Sequence, residues 1–193
     1  MKDVILVGIQ GSGKGTQAKI LRKKGFQILE TGSFFRSLRD NDSDLAKRVV
    51  ATIDKGEYVD DQTVMEIVEG LLAGMNPVRP ILYDGIPRSE PQRLALEQLL
   101  KKKDREFQVI SIKISQEEAF DRLKKRTRTE GRKDDTIEGI KNRIQLFHEL
   151  TEPMIQAWKK EGRVVEIDGN GTVEEISQRI DNAMQGPKCK KCS

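Results

Sequence analysis

Apolar residues along this chain occur in two patterns: short unbroken runs, and longer stretches in which they recur every three or four positions. Unbroken runs of roughly four to eight residues are typical of strands that a sheet buries on both faces. Recurrence every three or four positions indicates helices with one buried face. Residues 4–7 are unbroken, and similar short runs with a few polar residues occur at 25–29, 80–85, 107–114 and 163–167; all five runs predict strands.

The order of these elements predicts an α/β fold. Strands and helices alternate along most of the chain, and right-handed crossovers would make the five strands parallel, with helices on both faces of the sheet. Residues 31–73 are the exception, because three predicted helices follow one another there without a strand. A turn is predicted at residues 30–33, and Asp60-Asp61 would cap the third of these helices. We therefore expect a three-layer sandwich that carries a helical insertion over residues 31–73.

Two further stretches carry local expectations. Residues 127–132 are polar and interrupt the helical pattern, which predicts an exposed loop. Farther along, a helix capped near Thr136 runs into Pro153. A proline inside a helix removes a backbone hydrogen bond and clashes with the preceding turn, so we expect a break or kink near Pro153.

Composition narrows the class of protein. The 193 residues suffice for one α/β domain with a modest insertion. Lysine and arginine total 35 against 31 aspartates and glutamates, and this net charge of +4 argues against nucleic acid as the main partner. No long apolar run is present, so we expect a cytoplasmic protein without a membrane span. The single histidine, His148, disfavours a histidine metal site or a catalytic triad.

Candidate chemistry begins at residues 8–16, GIQGSGKGT, between the first predicted strand and a helix. Glycines let the backbone curl so that successive N–H groups point at one anion, and the helix N-terminus adds positive charge there. Lys14 would reach the outer phosphates. These features predict a P-loop that binds a nucleoside triphosphate. The general pattern places a hydroxyl directly after the lysine, whereas here Gly15 precedes Thr16.

Charged residues at predicted strand ends and loops extend this site. Asp84 ends the third strand, where P-loop folds place a carboxylate beside magnesium. Phosphoryl transfer needs positioning and charge neutralisation, and guanidinium groups supply both with a fixed bidentate geometry. Arg88 is the most informative arginine, because a strand end would deliver it beside the phosphates. The arginines near predicted loops or helix ends are Arg36, Arg88, Arg122, Arg126, Arg128, Arg132 and Arg143.

Four motifs occur in a fixed order along the chain. They are residues 8–16, Thr31-Gly32 with Arg36, Asp84-Gly85-Ile86-Pro87-Arg88 with Gln92, and Gly131-Arg132-Lys133-Asp134-Asp135 with Arg143. Together they resemble the adenylate kinase family over about residues 3–185, and Gly15-Thr16 is that family's own form of the loop. The resemblance implies a P-loop NTPase-like fold and reversible conversion of ATP and AMP into two ADP, with Mg²⁺ on the triphosphate.

The resemblance also assigns roles to matching positions. ATP would be bound by Gly11, Ser12, Gly13, Lys14, Gly15, Thr16, Arg122, Arg126 and Gly171. AMP would be bound by Thr31, Arg36, Glu57, Tyr58, Val59, Gly85, Ile86, Pro87, Arg88, Gln92, Arg132 and Arg143. Catalysis would fall to Lys14, Asp84, Arg88, Arg126, Arg132 and Arg143. Magnesium would be held through the nucleotide and waters near Thr16 and Asp84.

The same resemblance divides one kinase domain, residues 1–185, into parts. Its core would comprise residues 1–30, 74–125 and 134–185, its AMP-binding arm residues 31–73, and its short lid, without a zinc site, residues 126–133. Residues 186–193 would form a flexible tail, in which Cys189 and Cys192 supply only half of a zinc site. We expect the protein to be a monomer.

Three positions depart from the family's pattern. Gln10 stands where a proline is usual, Ser33 where an acidic residue is common, and Ile86 where phenylalanine is usual. We expect Gln10 to change the stiffness of the backbone and Ile86 to change packing. Ser33 puts one contact to magnesium-bound water in doubt. None of the three changes removes a phosphate-binding charge.

Three other functions stay open at this point. A UMP/CMP kinase resembles an adenylate kinase closely and also has a short lid; Thr31 and Gln92 favour adenine as the acceptor base, although single positions decide this poorly. A non-catalytic nucleotide-binding module would be expected to lack the acceptor-site and lid arginines. RNA binding would use the basic cluster at residues 124–128, but the small net charge argues against it.

Overall fold

The computed structural model describes residues 2–130 and 136–186. Its five strands form one parallel sheet in the order β2-β3-β1-β4-β5. The predicted strands are confirmed, with ends that differ by one or two residues. The strands are β1 (Asp3–Val7), β2 (Gln27–Glu30), β3 (Ile81–Asp84), β4 (Phe107–Lys113) and β5 (Val164–Asp168).

The central strand β1 sets the position of the candidate site. All five of its residues are buried, because β3 and β4 pair with it on either side. Leu6 on β1 pairs with Asp84 at the end of β3, and Glu30 at the end of β2 pairs with Asp84 from the other side. The carboxyl ends of three neighbouring strands therefore meet at one edge, where ligands bind in open parallel sheets.

Helices cover both faces of this sheet. No helix in residues 2–130 and 136–186 is both long enough and apolar enough to cross a membrane. The helices are α1 (Lys14–Lys23), α2 (Thr31–Ser37), α3 (Asp44–Asp54), α4 (Asp61–Ala73), α5 (Glu90–Lys102), α6 (Gln116–Glu130), α7 (Ile137–Leu146), α8 (Glu152–Lys160) and α9 (Val173–Met184).

Local sequence explains where several helices start. The side chains of Ser43, Asp60, Ser89 and Thr136 each accept a hydrogen bond from a backbone N–H in the first turn of the helix that follows. Such a cap pairs an N–H group that the helix itself leaves without a partner. Helix α2 differs from the expected turn, because it begins at Thr31 directly after β2.

The two faces of the sheet have separate hydrophobic cores. On one face, α1 and α9 pack together through residues such as Leu21 and Ile180. On the other face, α4 to α8 share a larger core. From the insertion, this core includes Val49 of α3 and Val68 of α4. The helical insertion at 31–73 is therefore packed into the main core through part of its surface.

Two sequence expectations about helix continuity have different outcomes. The loop expected from residue 127 is wrong in its first part, because α6 continues to Glu130. Thr127 donates to Leu123 O at 3.1 Å, and no glycine or proline interrupts α6. Residues 131–135, which include Arg132, lie outside the described residues. The break expected near Pro153 is confirmed by a π-helical turn over Phe147–Thr151, directly before α8.

Candidate active site

The loop between β1 and α1 curls tightly against α6. Gly11 has a φ of 87°, which favours glycine, and a Cβ atom there would lie 2.7 Å from the backbone oxygen of Ala119. Ser12 is fully buried beside it. Since α1 starts at Lys14, the loop's N–H groups and the positive end of the α1 dipole are directed to the same place.

Lys14 is held by its own loop. Its Nζ donates to Gly8 O at 2.6 Å and to Ile9 O at 3.0 Å, and lies 3.3 Å from Ser12 Oγ. Burial lowers the pKa of Lys14 to about 8, and the neighbouring carboxylate of Asp84 partly opposes this change. A second anion beside Nζ, such as a phosphate, would stabilise the charged form further.

Asp84 is the acidic residue at the centre of the site. It is buried at the end of β3, and burial raises its pKa, with Lys14 acting in the opposite direction. Glu30 raises the pKa of Asp84 further, whereas Arg88 and Arg36 lower it. These mutual effects place five charged groups from three strand ends and α2 within one electrostatic cluster.

Arg88 is fixed by backbone, side-chain and aromatic contacts. Its Nε donates to Gly85 O at 2.8 Å, and its backbone N–H donates to Gln92 Oε1 at 2.8 Å. Its guanidinium lies 5.0 Å from the ring centroid of Tyr58. Thr151 Oγ1 donates to the backbone oxygen of Arg88 at 2.8 Å. The orientation of Arg88 is therefore set by residues from four different parts of the chain.

Gln92 joins Arg88 to the helical insertion. Its Nε2 donates to Asp61 Oδ1 at 2.8 Å, and the same oxygen accepts from Ser89 Oγ at 2.8 Å. Gln92 is 2% exposed, so both ends of its amide are used within the protein. In this structure Gln92 holds the arginine and α4 in place.

Thr31 and Arg36 lie on the same side of the site. Thr31 Oγ1 donates to Gly85 O at 3.1 Å, which ties the start of α2 to the loop that carries Arg88. Arg36 Nη2 lies 3.3 Å from Glu30 Oε1 and forms a half-buried ion pair with it. Both contacts cross from the insertion to the sheet edge.

Lys14 and Arg88 line one narrow cavity. It measures about 40 Å³ and is enclosed between the β1–α1 loop, the β3–α5 loop and Thr151. Gly8, Gly85 and Tyr58 also line it. The cation of the P-loop and the arginine of the neighbouring loop thus converge on one place, which is the arrangement that in-line transfer between two phosphates requires.

A second group of residues lies on the other side of the P-loop. Arg122 Nη2 donates to Gly169 O at 3.1 Å, and its Nε donates to Glu118 at 2.6 Å. Gly171 follows in the same turn with a φ of 114°, and a Cβ there would clash with the Glu175 carboxylate. The structure therefore brings together Arg122 and Gly171, two residues that the resemblance assigns to ATP.

Of the other arginines assigned to catalysis, Arg126 and Arg143 lie within the described residues and Arg132 does not. Arg126 lies on α6 and its charge lowers the pKa of Lys14. Arg143 is buried on α7, where its Nε donates to Gly139 O at 3.2 Å. The backbone of Gly139 also contacts Gly56, so the end of the insertion lies against α7. Arg132 falls outside the described residues.

Several site residues were not foreseen from the sequence. Glu30 sits at a strand end exactly as Asp84 does, and the same strand-end rule would have identified it. Asp61 was interpreted only as part of a helix cap, whereas Asp60 caps α4 and Asp61 binds Ser89 and Gln92. Gln10 was considered only for its backbone, but its side chain contacts Tyr58.

No cluster of three or more histidine, cysteine, aspartate or glutamate side chains in residues 2–130 and 136–186 could hold a metal ion. The oxygen ligands near the P-loop are the exposed Thr16 hydroxyl and the Asp84 carboxylate, which approaches Gly15. Two such oxygens fit a magnesium ion that binds mainly to phosphates and water. Cys189 and Cys192 lie outside the described residues.

Comparison with known proteins gives a consistent result. The family model described as Adenylate kinase matches residues 6–163. A curated adenylate kinase from Parabacteroides distasonis is 34% identical over 97% of this chain and 100% of the relative. The adenylate kinase of Maricaulis maris is 35% identical over 95% of this chain and 98% of the relative. That of Leifsonia xyli subsp. xyli is 37% identical over 94% and 92%, respectively.

Proposed function

The chain belongs to the adenylate kinase family, and from this premise we propose how its residues carry out the reaction. It is a phosphotransferase that uses ATP, and its function is the reversible conversion of ATP and AMP into two ADP. The observation that supports our residue assignment best is the narrow cavity shared by Lys14 and Arg88.

The donor side binds ATP through the P-loop. Backbone N–H groups of residues 11–16 and the N-terminus of α1 surround the β-phosphate, and Lys14 moves from the carbonyls of Gly8 and Ile9 to the outer phosphates. Arg122 and the turn at Gly171 hold the adenine end, because they adjoin each other beside this loop.

The acceptor side binds AMP through Arg36 and Arg88. Both guanidinium groups lie near Asp84, and both would hold the AMP phosphate in line with the phosphoryl group that is transferred. The backbone at Glu57, Tyr58 and Val59 lines the base. Thr31 and Gln92 support this side, and in the structure their side chains bind Gly85, Arg88 and Asp61.

Charge neutralisation, rather than a general base, accelerates the transfer. Negative charge spreads over the moving phosphoryl group, and Lys14, Arg126, Arg132 and Arg143 stabilise it. Closure of the arm, residues 31–73, and of the lid, residues 126–133, would exclude water, so that transfer to AMP outcompetes hydrolysis. The Gly56–Gly139 contact is one of the places where the arm meets the core.

Magnesium fits this site as a partner of ATP. The ion would be held through the phosphates and through water molecules near the Thr16 hydroxyl and the Asp84 carboxylate, which approaches Gly15. The ion would neutralise part of the charge on the outer phosphates. Titration of activity with EDTA and Mg²⁺, together with size-exclusion chromatography, tests this cofactor and the proposed monomer.

A panel of acceptors tests the proposed function. With ATP and magnesium present, AMP, UMP, CMP and GMP are offered separately, and diphosphate formation is measured. We expect ADP to form selectively with AMP. Faster turnover of UMP or CMP would instead assign the acceptor site to a pyrimidine. Arg88→Ala serves as the second arm of the test, because near-normal turnover in that variant would contradict the assignment of Arg88.

A further inference from the structure

A line of hydrogen bonds connects the P-loop to the backbone of Arg88. Gln10 Nε2 lies 3.2 Å from Tyr58 OH, Tyr58 OH lies 3.3 Å from Thr151 Oγ1, and Thr151 Oγ1 lies 2.8 Å from Arg88 O. The four residues come from the P-loop, the α3–α4 connection, the turn before α8 and the β3–α5 loop. All four line the narrow cavity described above.

Counting protons gives this line a single direction. The Arg88 carbonyl can only accept, so the one hydroxyl proton of Thr151 is used there. Tyr58 must then donate its own proton to Thr151, and its oxygen is left to accept from the Gln10 amide. A reversed Gln10 amide would leave this line one proton short. The amide therefore keeps its orientation, even though Gln10 Oε1 is buried without a partner in the described part of the chain.

Tyr58 is linked to Arg88 in two ways, one indirect and one direct. Its hydroxyl reaches the Arg88 backbone through Thr151, and its ring faces the Arg88 guanidinium. Bonds that all point in one direction polarise and strengthen one another in a half-buried site. We propose that Gln10 and the Tyr58 side chain are positioning residues, which couple the donor loop to the orientation of the acceptor-site arginine.

This inference rests on the proposed function, because it assigns a purpose to Arg88 in binding AMP. It adds a role for the Tyr58 side chain, beyond its backbone near the base. Tyr58 belongs to the segment that joins α3 and α4. A bond from Gln10 to Tyr58 therefore links the P-loop to the arm. Binding of ATP at the P-loop would then affect the orientation of Arg88 on the AMP side.

The chain offers a matched control, because it has two tyrosines. Tyr58→Phe removes the hydroxyl from the relay and keeps the ring over Arg88. Tyr83→Phe removes a buried hydroxyl that donates to Asp3 Oδ2 at 3.1 Å, away from the site. Gln10→Leu and the Gln10→Leu/Tyr58→Phe double variant complete the set. Fluorescence of the single Trp158 reports whether each variant is folded.

We expect Tyr58→Phe to lower kcat/KM for AMP about tenfold while KM for ATP changes less than about twofold. Gln10→Leu should have a smaller effect, about threefold, because Tyr58 can still donate to Thr151. The double variant should match Tyr58→Phe, since both changes interrupt one line of bonds. Tyr83→Phe should leave the kinetics for AMP unchanged.

Two results would overturn the proposal. One is equal AMP kinetics in folded Tyr58→Phe and Tyr83→Phe. The other is a double variant whose losses multiply, which would make the two residues independent. Absence of transfer to AMP by the unmodified protein is a separate outcome, because it would contradict the proposed function rather than the relay.

Discussion

In the proposed donor half of the site, the groups assigned to phosphate binding lie in one continuous stretch, residues 8–16, directly after the central strand. In the acceptor half, Arg88 is held by Gln92, Tyr58 and Thr151, which are separated from one another by tens of residues. The donor half therefore depends on backbone conformation, and the acceptor half on side-chain hydrogen bonds between distant segments.

The two halves should consequently respond differently to substitution. Donor binding rests on backbone N–H groups, which substitutions other than proline leave in place. Loss of the Lys14 side chain should therefore weaken it most. Acceptor binding rests on several hydrogen bonds of roughly 1 kcal/mol each. Substitution of any one supporting residue should therefore weaken AMP binding only in part.

Removal of the donor-loop cation should have the largest effect. Lys14→Met keeps a long side chain but removes the charge that stabilises the moving phosphoryl group. We expect kcat to fall roughly 10²–10³-fold, by analogy with the loss of other charge-stabilising groups in active sites. Steady-state rates with AMP measure this effect. A fall of less than tenfold would show that the backbone and the arginines suffice without Lys14.

Gln92 supports the acceptor half. Its substitution should have a smaller effect than that of Lys14 and should affect AMP rather than ATP. Gln92→Leu leaves the Arg88 N–H and the Asp61 carboxylate with one partner fewer, which costs about 1–3 kcal/mol. We expect kcat/KM for AMP to fall roughly 10- to 100-fold, with KM for ATP nearly unchanged.

Gln17 provides the control for that variant. It is 2% exposed like Gln92, but its Nε2 donates to Val173 O at 2.9 Å, away from Arg88. Gln17→Leu should lower the melting temperature without changing KM for AMP. If both variants change KM for AMP equally, Gln92 acts through stability alone.

The conformation of the glycine-rich loop could be predicted from the sequence, whereas most side-chain contacts around Arg88 could not. A glycine-rich turn between a buried strand and a helix is a local signal, so residues 8–16 could be interpreted without any other part of the chain. The bond from Arg88 N–H to Gln92 is local, but the bond from Gln92 to Asp61 depends on how α4 and α5 pack, and no local pattern records such packing.

Polar stretches were the weakest part of the fold prediction. Residues 124–130 contain no apolar side chain, so the hydrophobic pattern could not distinguish an exposed helical end from a loop there. The strands were located well, because each contains a short run of mostly apolar residues; β1 and β3, in the middle of the sheet, are buried throughout. Residue 31 was expected in a turn, yet Thr31 starts a helix, since strand β2 passes into α2 without a connecting loop.

The pH dependence offers a test of the donor half by itself. Since burial lowers the pKa of Lys14 to about 8, the free protein loses this charge as pH rises above 8. We expect kcat/KM for ATP to fall about tenfold per pH unit above that value. The kcat at saturating ATP should fall only at higher pH, because bound phosphates favour the charged lysine.

The same pKa change predicts opposite effects of pH on stability and on binding. Between pH 8 and the unperturbed lysine pKa, the unfolded chain binds more protons at Lys14 than the folded one does, so this residue's contribution to stability rises with pH. Binding of ATP above pH 8 should take up a proton. Calorimetry in buffers of different ionisation enthalpy measures that uptake, and Lys14→Met should abolish it.

Thr31 should give the smallest effect and separates two interpretations of the acceptor half. In the structure its hydroxyl donates to Gly85 O, which also accepts from Arg88 Nε. Thr31→Val therefore leaves Gly85 O with a partner and removes about 1 kcal/mol of support, so KM for AMP should rise about fivefold. A rise above roughly 30-fold would mean that the Thr31 hydroxyl binds AMP itself, because loss of a direct contact leaves a ligand group unpaired. Measured together with Gln92→Leu, this variant shows whether the acceptor half recognises AMP by direct side-chain contacts or by holding Arg88 in place.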